Sequence, residues 1–196
     1  NGLLTIAGQP KQFIVNEIDD VRNRNLKSQN FLEVTKLDAT LEFVRYFRKF
    51  DAIITNPPFG RLNHKVVFDN FEFDTLDHVM ALRALQTMKI DGRASIIIGG
   101  HTQWDEYGRI QAGKNRIFFN YLYHHYNVLD VLQINGAKLY SRQGTSFDVR
   151  LILIDGKKKI PQGASPIFNE AIDYEIKTFD ELYQRVMVHY KTNATS

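Results

Sequence analysis

The residues richest in chemistry are Asn56-Pro57-Pro58-Phe59, directly after the apolar run Asp51-Ala52-Ile53-Ile54-Thr55. The Asn56 side chain offers a carbonyl acceptor, and Pro57, which has no N–H, keeps its backbone carbonyl. Two neighbouring acceptors suit an exocyclic amino group on a base. Such a group is nearly planar and a poor nucleophile, because its lone pair is delocalised into the ring. Binding both of its protons favours a tetrahedral nitrogen and frees the lone pair to attack a sulfonium methyl group. The thioether that leaves is neutral, so no charged base is needed to start the step. Phe59 adds a flat apolar face on which a base can stack. Read alone, the same tetrapeptide also describes a Pro-Pro turn that buries a phenylalanine.

Residues 51–55 read as a buried-type strand, and Pro-Pro cannot continue a sheet, so the chain must turn out there. Ligands of open α/β sheets bind at the carboxyl ends of strands, which is where the tetrapeptide falls. Upstream, the pattern predicts a short strand at 13–15 and a polar helix over 19–29 with Val21 and Leu26 facing inward. A strand at 31–37 and a short amphipathic helix at 41–47 follow. Downstream, residues 75–88 read as a helix with Leu76, Val79, Leu82, Leu85 and Met88 on one face and Gly92 as its stop. A strand at 94–98, an aromatic-rich helix at 116–126 and strands at 128–134 and 147–154 come next. A last helix at 179–189 opens on Thr178 and Glu181, spaced as a capping box. Residues 60–75 and 100–114 read as loops flanking the pocket. Their Arg61, His64, Lys65, Arg109 and Lys114 are solvated charges by default and phosphate contacts in the alternative.

Strands separated by helices predict a mostly parallel sheet covered on both faces. The last two strands, with no helix between them, form an antiparallel pair at one edge. The domain organisation expected is a core over 1–158 and a linker with a C-terminal helix over 159–196.

Composition narrows the function classes. The chain has 196 residues, 43% hydrophobic and 24% charged, enough for one domain with a real core. There is no cysteine, which excludes disulfides, thiolate metal sites and a cysteine nucleophile, and suits a reducing cytoplasm. The histidines form no metal-ligating set. No run of eighteen apolar residues exists, and no basic, cleavable leader opens the chain. A formal charge of +3 is compatible with a polyanionic partner. The one tight basic run, Lys157-Lys158-Lys159, reads as a solvated turn ahead of a phosphate contact.

Asn56-Pro57-Pro58-Phe59 resembles the catalytic motif of class I amino-methyltransferases, in which Asn, Asp or Ser precedes Pro-Pro and an aromatic residue. The resemblance extends over residues 1–155 in the family's motif order. It implies a doubly wound, mostly parallel, Rossmann-like sheet with an antiparallel edge strand, and S-adenosylmethionine as cofactor. The implied reaction is methylation of the N6 amino group of adenine in DNA, with the target adenine flipped out of the duplex. Asn-Pro-Pro-Phe is commoner among adenine enzymes, which are cytoplasmic and often serve restriction–modification.

In this frame the catalytic residues are Asn56, Pro57, Pro58 and Phe59, and the cofactor-binding residues are Gly2, Glu17, Asp38 and Asn56. Glu17 resembles the acid that binds the cofactor ribose, and Asp38 the acid that accepts from the cofactor adenine. Each also reads as a helix cap. Tyr140 resembles the aromatic on the other face of the target base, with Phe147 second; both also fit a core aromatic at a strand edge. Asn1-Gly2 matches only the end of the family's glycine turn, so the first strand is expected to be missing and the chain to belong to a longer parent. A sheet truncated there would invite self-association. Methylation of RNA or of a protein glutamine, and a non-catalytic nucleic-acid-binding segment of a larger protein, remain as alternatives.

Overall fold

A computed structural model describes residues 12–100, 102–139 and 147–191. The chain divides into two compact units, residues 1–42 and 43–196.

In the first unit, β1 (Ile14–Asn16) pairs in parallel with β2 (Glu33–Thr35). Helix α1 (Asp20–Lys27) crosses between them, and its N-cap Asp19 accepts from the backbone N–H groups of Val21 and Arg22. The helix does not turn Val21 inward: that side chain is 57% exposed. The buried residue is Asn23, whose amide donates to the carbonyls of Glu17 and Thr35 and so ties the helix to the ends of both strands. A polar anchor holds this unit where an apolar stripe was expected.

In the second unit the expected helix at 41–47 is a single 3-10 turn, Val44–Tyr46. Strand β3 (Phe50–Thr55) follows, then β4 (Arg61–Phe68) and β5 (Phe71–Thr75). The expected loop at 60–75 is therefore an antiparallel hairpin, with Val66 opposite Phe73 and Phe68 opposite Phe71. Its apolar alternation, Leu62, Val66 and Phe68 against Phe71 and Phe73, is the period-two signal of a half-buried ribbon. Asp69 makes the turn at φ 52°.

Helix α2 (Leu76–Gln86) leads into β6 (Met88–Gly99). Gly92 does not stop the helix; it lies inside β6. A Cβ there would come within about 3 Å of the Asp51 and Phe50 carbonyls, so glycine permits the close approach of β3 where its register shifts. Then come α3 (Lys114–His125), β7 (Tyr126–Ile134), the single turn α4 (Gly136–Leu139) and β8 (Val149–Lys157). The turn α5 (Glu170–Asp173), β9 (Glu175–Ile176) and α6 (Phe179–Lys191) complete the unit.

The five-stranded sheet runs β3-β6-β8-β7-β9. Strand β8 is antiparallel to β6 and to β7. The antiparallel strand is thus interior to the sheet and not at its edge; the edge beyond β7 is taken by β9, parallel to it. At the other end β3 pairs in parallel with β6 and is the terminal strand.

Alternation along the strands separates two apolar layers. Ile96, Ile98, Ile152 and Ile154 pack with Val79, Leu82 and Leu85 of α2, Phe118 and Leu122 of α3, and Phe68 and Phe73 of the hairpin. Leu132 and Leu153 join Ile176, Leu182 and Val186 in the second layer. The capping box at the start of α6 forms: Thr178 Oγ1 accepts from Glu181 N, and Glu181 Oε2 accepts from Thr178 N.

Asp130, nearly buried on β7, fastens α6. Arg185 donates to both of its oxygens at 2.6 and 3.0 Å, and His189 Nε2 lies 3.0 Å from Oδ2. Burial alone would raise the Asp130 pKa, but the hydrogen bonds from Arg185 and His189 outweigh it and hold it below the ordinary aspartate value. A depressed pKa contributes stability above the unfolded value, near ~3.9, and that stability is lost as pH falls through the folded value. Asp130→Asn is therefore expected to cost about 1–3 kcal/mol at neutral pH. It should also flatten the fall in melting temperature below about pH 4. Thermal melts of both proteins across pH check this; parallel curves would remove Asp130 as the acid-sensitive contact.

Candidate active site

Strand β3 stops at Thr55 because Pro57 and Pro58, one residue on, have no N–H with which to extend the ladder. The tetrapeptide spans the gap to β4 with Asn56 and Pro58 exposed and Pro57 buried. Phe59 is 40% exposed and rests on the end of β6. A Cβ added to Gly99 would meet three Phe59 ring atoms at 3.0–3.3 Å. Glycine at the last position of β6 thus lets the ring lie against the main chain. Behind the motif, the Gly60 carbonyl accepts from Leu76 N at 3.0 Å, which fixes the start of α2 to the end of the tetrapeptide.

The same end of the sheet carries the start of β8. Val149 pairs with Gly99, and the Asp148 carbonyl accepts from Gly100 N at 2.9 Å while its side chain accepts from Gly136 N at 2.7 Å. Phe147, 72% exposed, therefore stands at the end of the sheet where Phe59 lies. Tyr140, the first choice for the second aromatic, falls outside the described residues.

Beneath this surface is a buried polar cluster that the sequence reading passed over. Asp77, in the first turn of α2, accepts from Gly99 N at 3.1 Å. Arg150, fully buried on β8, donates through Nη2 to the Gly99 carbonyl at 2.8 Å, and its guanidinium lies 5.0 Å from the Phe119 ring centroid. Weaker contacts at 3.4 Å reach Thr102 Oγ1 and Asn115 Oδ1. Burial raises the Asp77 pKa and lowers that of Arg150 to about 10. His78 stacks on Phe118 with ring centroids 4.1 Å apart, and burial brings its pKa down to about 3, so it stays neutral. The sequence signal for the cluster was an arginine inside the apolar run 149–154.

The cations flanking the motif are mostly paired. Arg61 binds Asp74 at 2.7 Å, Lys65 binds Glu72 at 2.5 Å and Arg109 binds Asp105 at 3.0 Å. His64 Nδ1 is 2.9 Å from Asn63 Oδ1, and Lys114 is exposed at the first position of α3. Lys157, Lys158 and Lys159 line a polar cavity with Asp91, Asn127 and Asp155 at the opposite end of the sheet. Lys158 there donates to the carbonyls of Tyr123 and Gln162, a structural use. Among the described residues no cluster of His, Asp and Glu could hold a metal ion, and no helix is long and apolar enough to cross a membrane.

Within the first unit, Glu17 and Asp38 lie beyond the carboxyl ends of β1 and β2. Asn16 links these ends, its side chain bonding both the N–H and the carbonyl of Leu37. Glu17 Oε1 accepts from Asp19 N at 2.9 Å, and Arg22 Nε reaches Oε2 at 2.9 Å; hydrogen bonding from Arg22 holds the carboxyl below its usual pKa. Asp38 Oδ1 accepts from both Thr40 N and Thr40 Oγ1 in a tight turn, with no helix behind it. Both groups are ionised and still have lone pairs for a ligand's hydroxyl or amino group, so their donor chemistry fits a nucleoside. Gly2 falls outside the described residues.

No protein-family model matches the sequence, and no curated protein matches it. Solved structures do. A protein described as a type I restriction-enzyme modification subunit from Vibrio vulnificus YJ016 aligns over 93% of this chain at TM-score 0.57 and 12% identity. The M protein of the type I restriction enzyme EcoKI aligns over 83% at TM-score 0.54 and 13% identity. A Listeria monocytogenes protein assigned to the class I S-adenosylmethionine-dependent methyltransferases aligns over 89% at TM-score 0.56 and 8% identity. The chain spans 41%, 38% and 53% of these three proteins, respectively. At such identities the likeness is one of fold: this is a mixed α/β chain with a central multistranded sheet, similar to S-adenosylmethionine-dependent methyltransferases and to type I modification subunits.

Proposed function

We propose that this chain forms the catalytic core of an S-adenosylmethionine-dependent methyltransferase acting on the N6 amino group of adenine in DNA. The observation that carries the reading is Asn56-Pro57-Pro58-Phe59 at the carboxyl end of β3, with the Phe59 ring exposed against Gly99. The fold neighbours add support, since two of them are described as modification proteins of type I restriction enzymes.

Glu17 and Asp38 would hold the ribose hydroxyls and the adenine amino group of the cofactor. When bound, the cofactor supplies an electrophilic methyl group and departs as a neutral thioether. Asn56 Oδ1 and the Pro57 carbonyl accept the two N6 protons of the target adenine and stabilise a tetrahedral nitrogen. Phe59 stacks on the flipped base and fixes its plane, so the freed lone pair has one direction. The methylated nitrogen then loses one proton to solvent water at the exposed strand end, while Asn56 keeps accepting from the amino group. His78, neutral and buried, takes no part as a base.

Methyl transfer is tested by incubating the protein with labelled S-adenosylmethionine and duplex DNA, structured RNA or a glutamine peptide, then identifying the product after digestion. N6-methyladenine from DNA is expected. Label on RNA or on peptide glutamine would redirect the substrate, and no label on any acceptor would leave a non-catalytic binding segment. Asn56→Ala should reduce turnover by the equivalent of about 2–4 kcal/mol while leaving cofactor binding nearly intact; wild-type turnover would remove its catalytic role. Glu17→Ala should act in the opposite sense, weakening cofactor binding by about 1.5–3 kcal/mol for each hydrogen bond lost. Calorimetry decides, and unchanged affinity would leave Glu17 with its local role toward Asp19 N and Arg22.

A further inference from the structure

We propose that Asp77 and Arg150 are positioning residues that hold the Gly99 main chain as the seat of the Phe59 ring. The proposal rests on the reading of Phe59 as the stacking residue, and it concerns two side chains that touch neither base nor cofactor.

Opposite charges grip one residue from two elements. Asp77 on α2 takes the Gly99 N–H, and Arg150 on β8 takes the Gly99 carbonyl. Strand β8 pairs with Gly99 on one side, but on the other side β3 has already left the sheet: its last pair with β6 is Thr55 with Ile96, three residues before Gly99. The strand end would otherwise be free to fray on the side where Phe59 lies. The ring occupies the space next to Gly99 that a Cβ would fill, so a shift of this residue is a shift of the aromatic floor.

Energetics argues against a role in stability alone. Arg150 is fully exposed to the cost of burying a charge: it has no solvent access, its Nε has no hydrogen-bond partner, and of its contacts only the bond to Gly99 is short. A buried ionic arrangement of this kind is commonly no more stable than an apolar replacement of similar volume. What it supplies is direction, because a planar guanidinium held over Phe119 can place its N–H groups at one carbonyl in one orientation. A ring held this way is preorganised for stacking before any base arrives.

The experiment uses a fluorescent reporter at the seat. In the protein carrying Trp104→Phe, which removes the chain's single tryptophan, Phe59→Trp reports the surroundings of position 59. Arg150→Met and Asp77→Ala should each shift this emission to the red and raise its quenching by acrylamide about twofold, with circular dichroism and the melt showing a folded protein. Arg150→Met is expected to melt no lower than the parent. Asp77→Asn, which keeps an acceptor for the Gly99 N–H, should restore the parent emission. Gly99→Ala, whose Cβ invades the ring's place, is the steric control and should give the same red shift. A shift with Gly99→Ala but none with Arg150→Met or Asp77→Ala overturns the proposal, and so does a shift in Asp77→Asn as large as in Asp77→Ala. If Asp77→Ala does not fold, Arg150→Met decides alone, and an emission unchanged from the parent overturns the proposal. With Phe59 intact, methyl transfer to DNA should fall at least tenfold in Arg150→Met. Because the reporter needs no methyl acceptor, failure of the positioning claim and failure of the methyltransferase reading give different results.

Discussion

The second unit depends on one ladder, the antiparallel pairing of β6 with β8 over seven positions from Arg93–Asp155 to Gly99–Val149. Strand β3 reaches the sheet through β6, and β7 and β9 reach it through β8. The two apolar layers are likewise carried on these strands, since Ile96, Ile98, Ile152 and Ile154 line one face and Leu151 and Leu153 the other. The ladder also ends at the site. Its last pair brings Gly99, the contact of Phe59, beside the start of β8, so that Phe59, Gly99, Phe147 and Asp148 share one end of the sheet.

Around that end most of the flanking charge is paired. The flanking cations on the hairpin and in the loop before α3 are matched by carboxylates at 2.5–3.0 Å. The buried cation Arg150 lies under the surface opposite Asp77. What faces outward at the strand end is the Asn56 amide, Pro58 and the Phe59 ring, with Pro57 buried behind them. Such a surface suits a reaction whose nucleophile is a neutral amino group: carbonyl acceptors and a stacking plane are needed, and a strong base is not. Steric fit is supplied by the aromatic packing behind it. Phe73 meets Phe118 and Tyr121 edge-on, and Tyr121 donates to Asp69 at the hairpin tip. The ribbon that follows the motif is therefore docked on α3.

Polar anchoring recurs where apolar packing is thin. The small first unit turns Asn23 inward to hold two strand ends, and α6 is fastened through Asp130 as well as through Leu182 and Val186. Both anchors work because the buried polar group has every partner it needs.

The sequence by itself determined the motif and its place. Residues 51–55 had to be a strand and Pro57-Pro58 had to end it, because proline lacks the ladder's donor; the capping box at Thr178 and the apolar face of α2 were equally legible, because local hydrogen bonding and helical period decide them. Only the tertiary structure decided the rest. The hairpin at residues 61–75 exists because Phe68, Phe71 and Phe73 find Phe118 and Tyr121 to pack on, partners more than forty residues away that no local pattern reveals. Gly92 is a close-approach residue and not a helix stop because β3 crosses it, a fact about strand pairing and not about the helix before it. The placing of β8 between β6 and β7 moved the antiparallel strand from the edge to the interior, since strand order follows from which faces must be covered. Arg150 read as one charge in an apolar strand until the fold set Asp77 and Gly99 beside it, since the direction of a buried charge is given by partners that come from other elements.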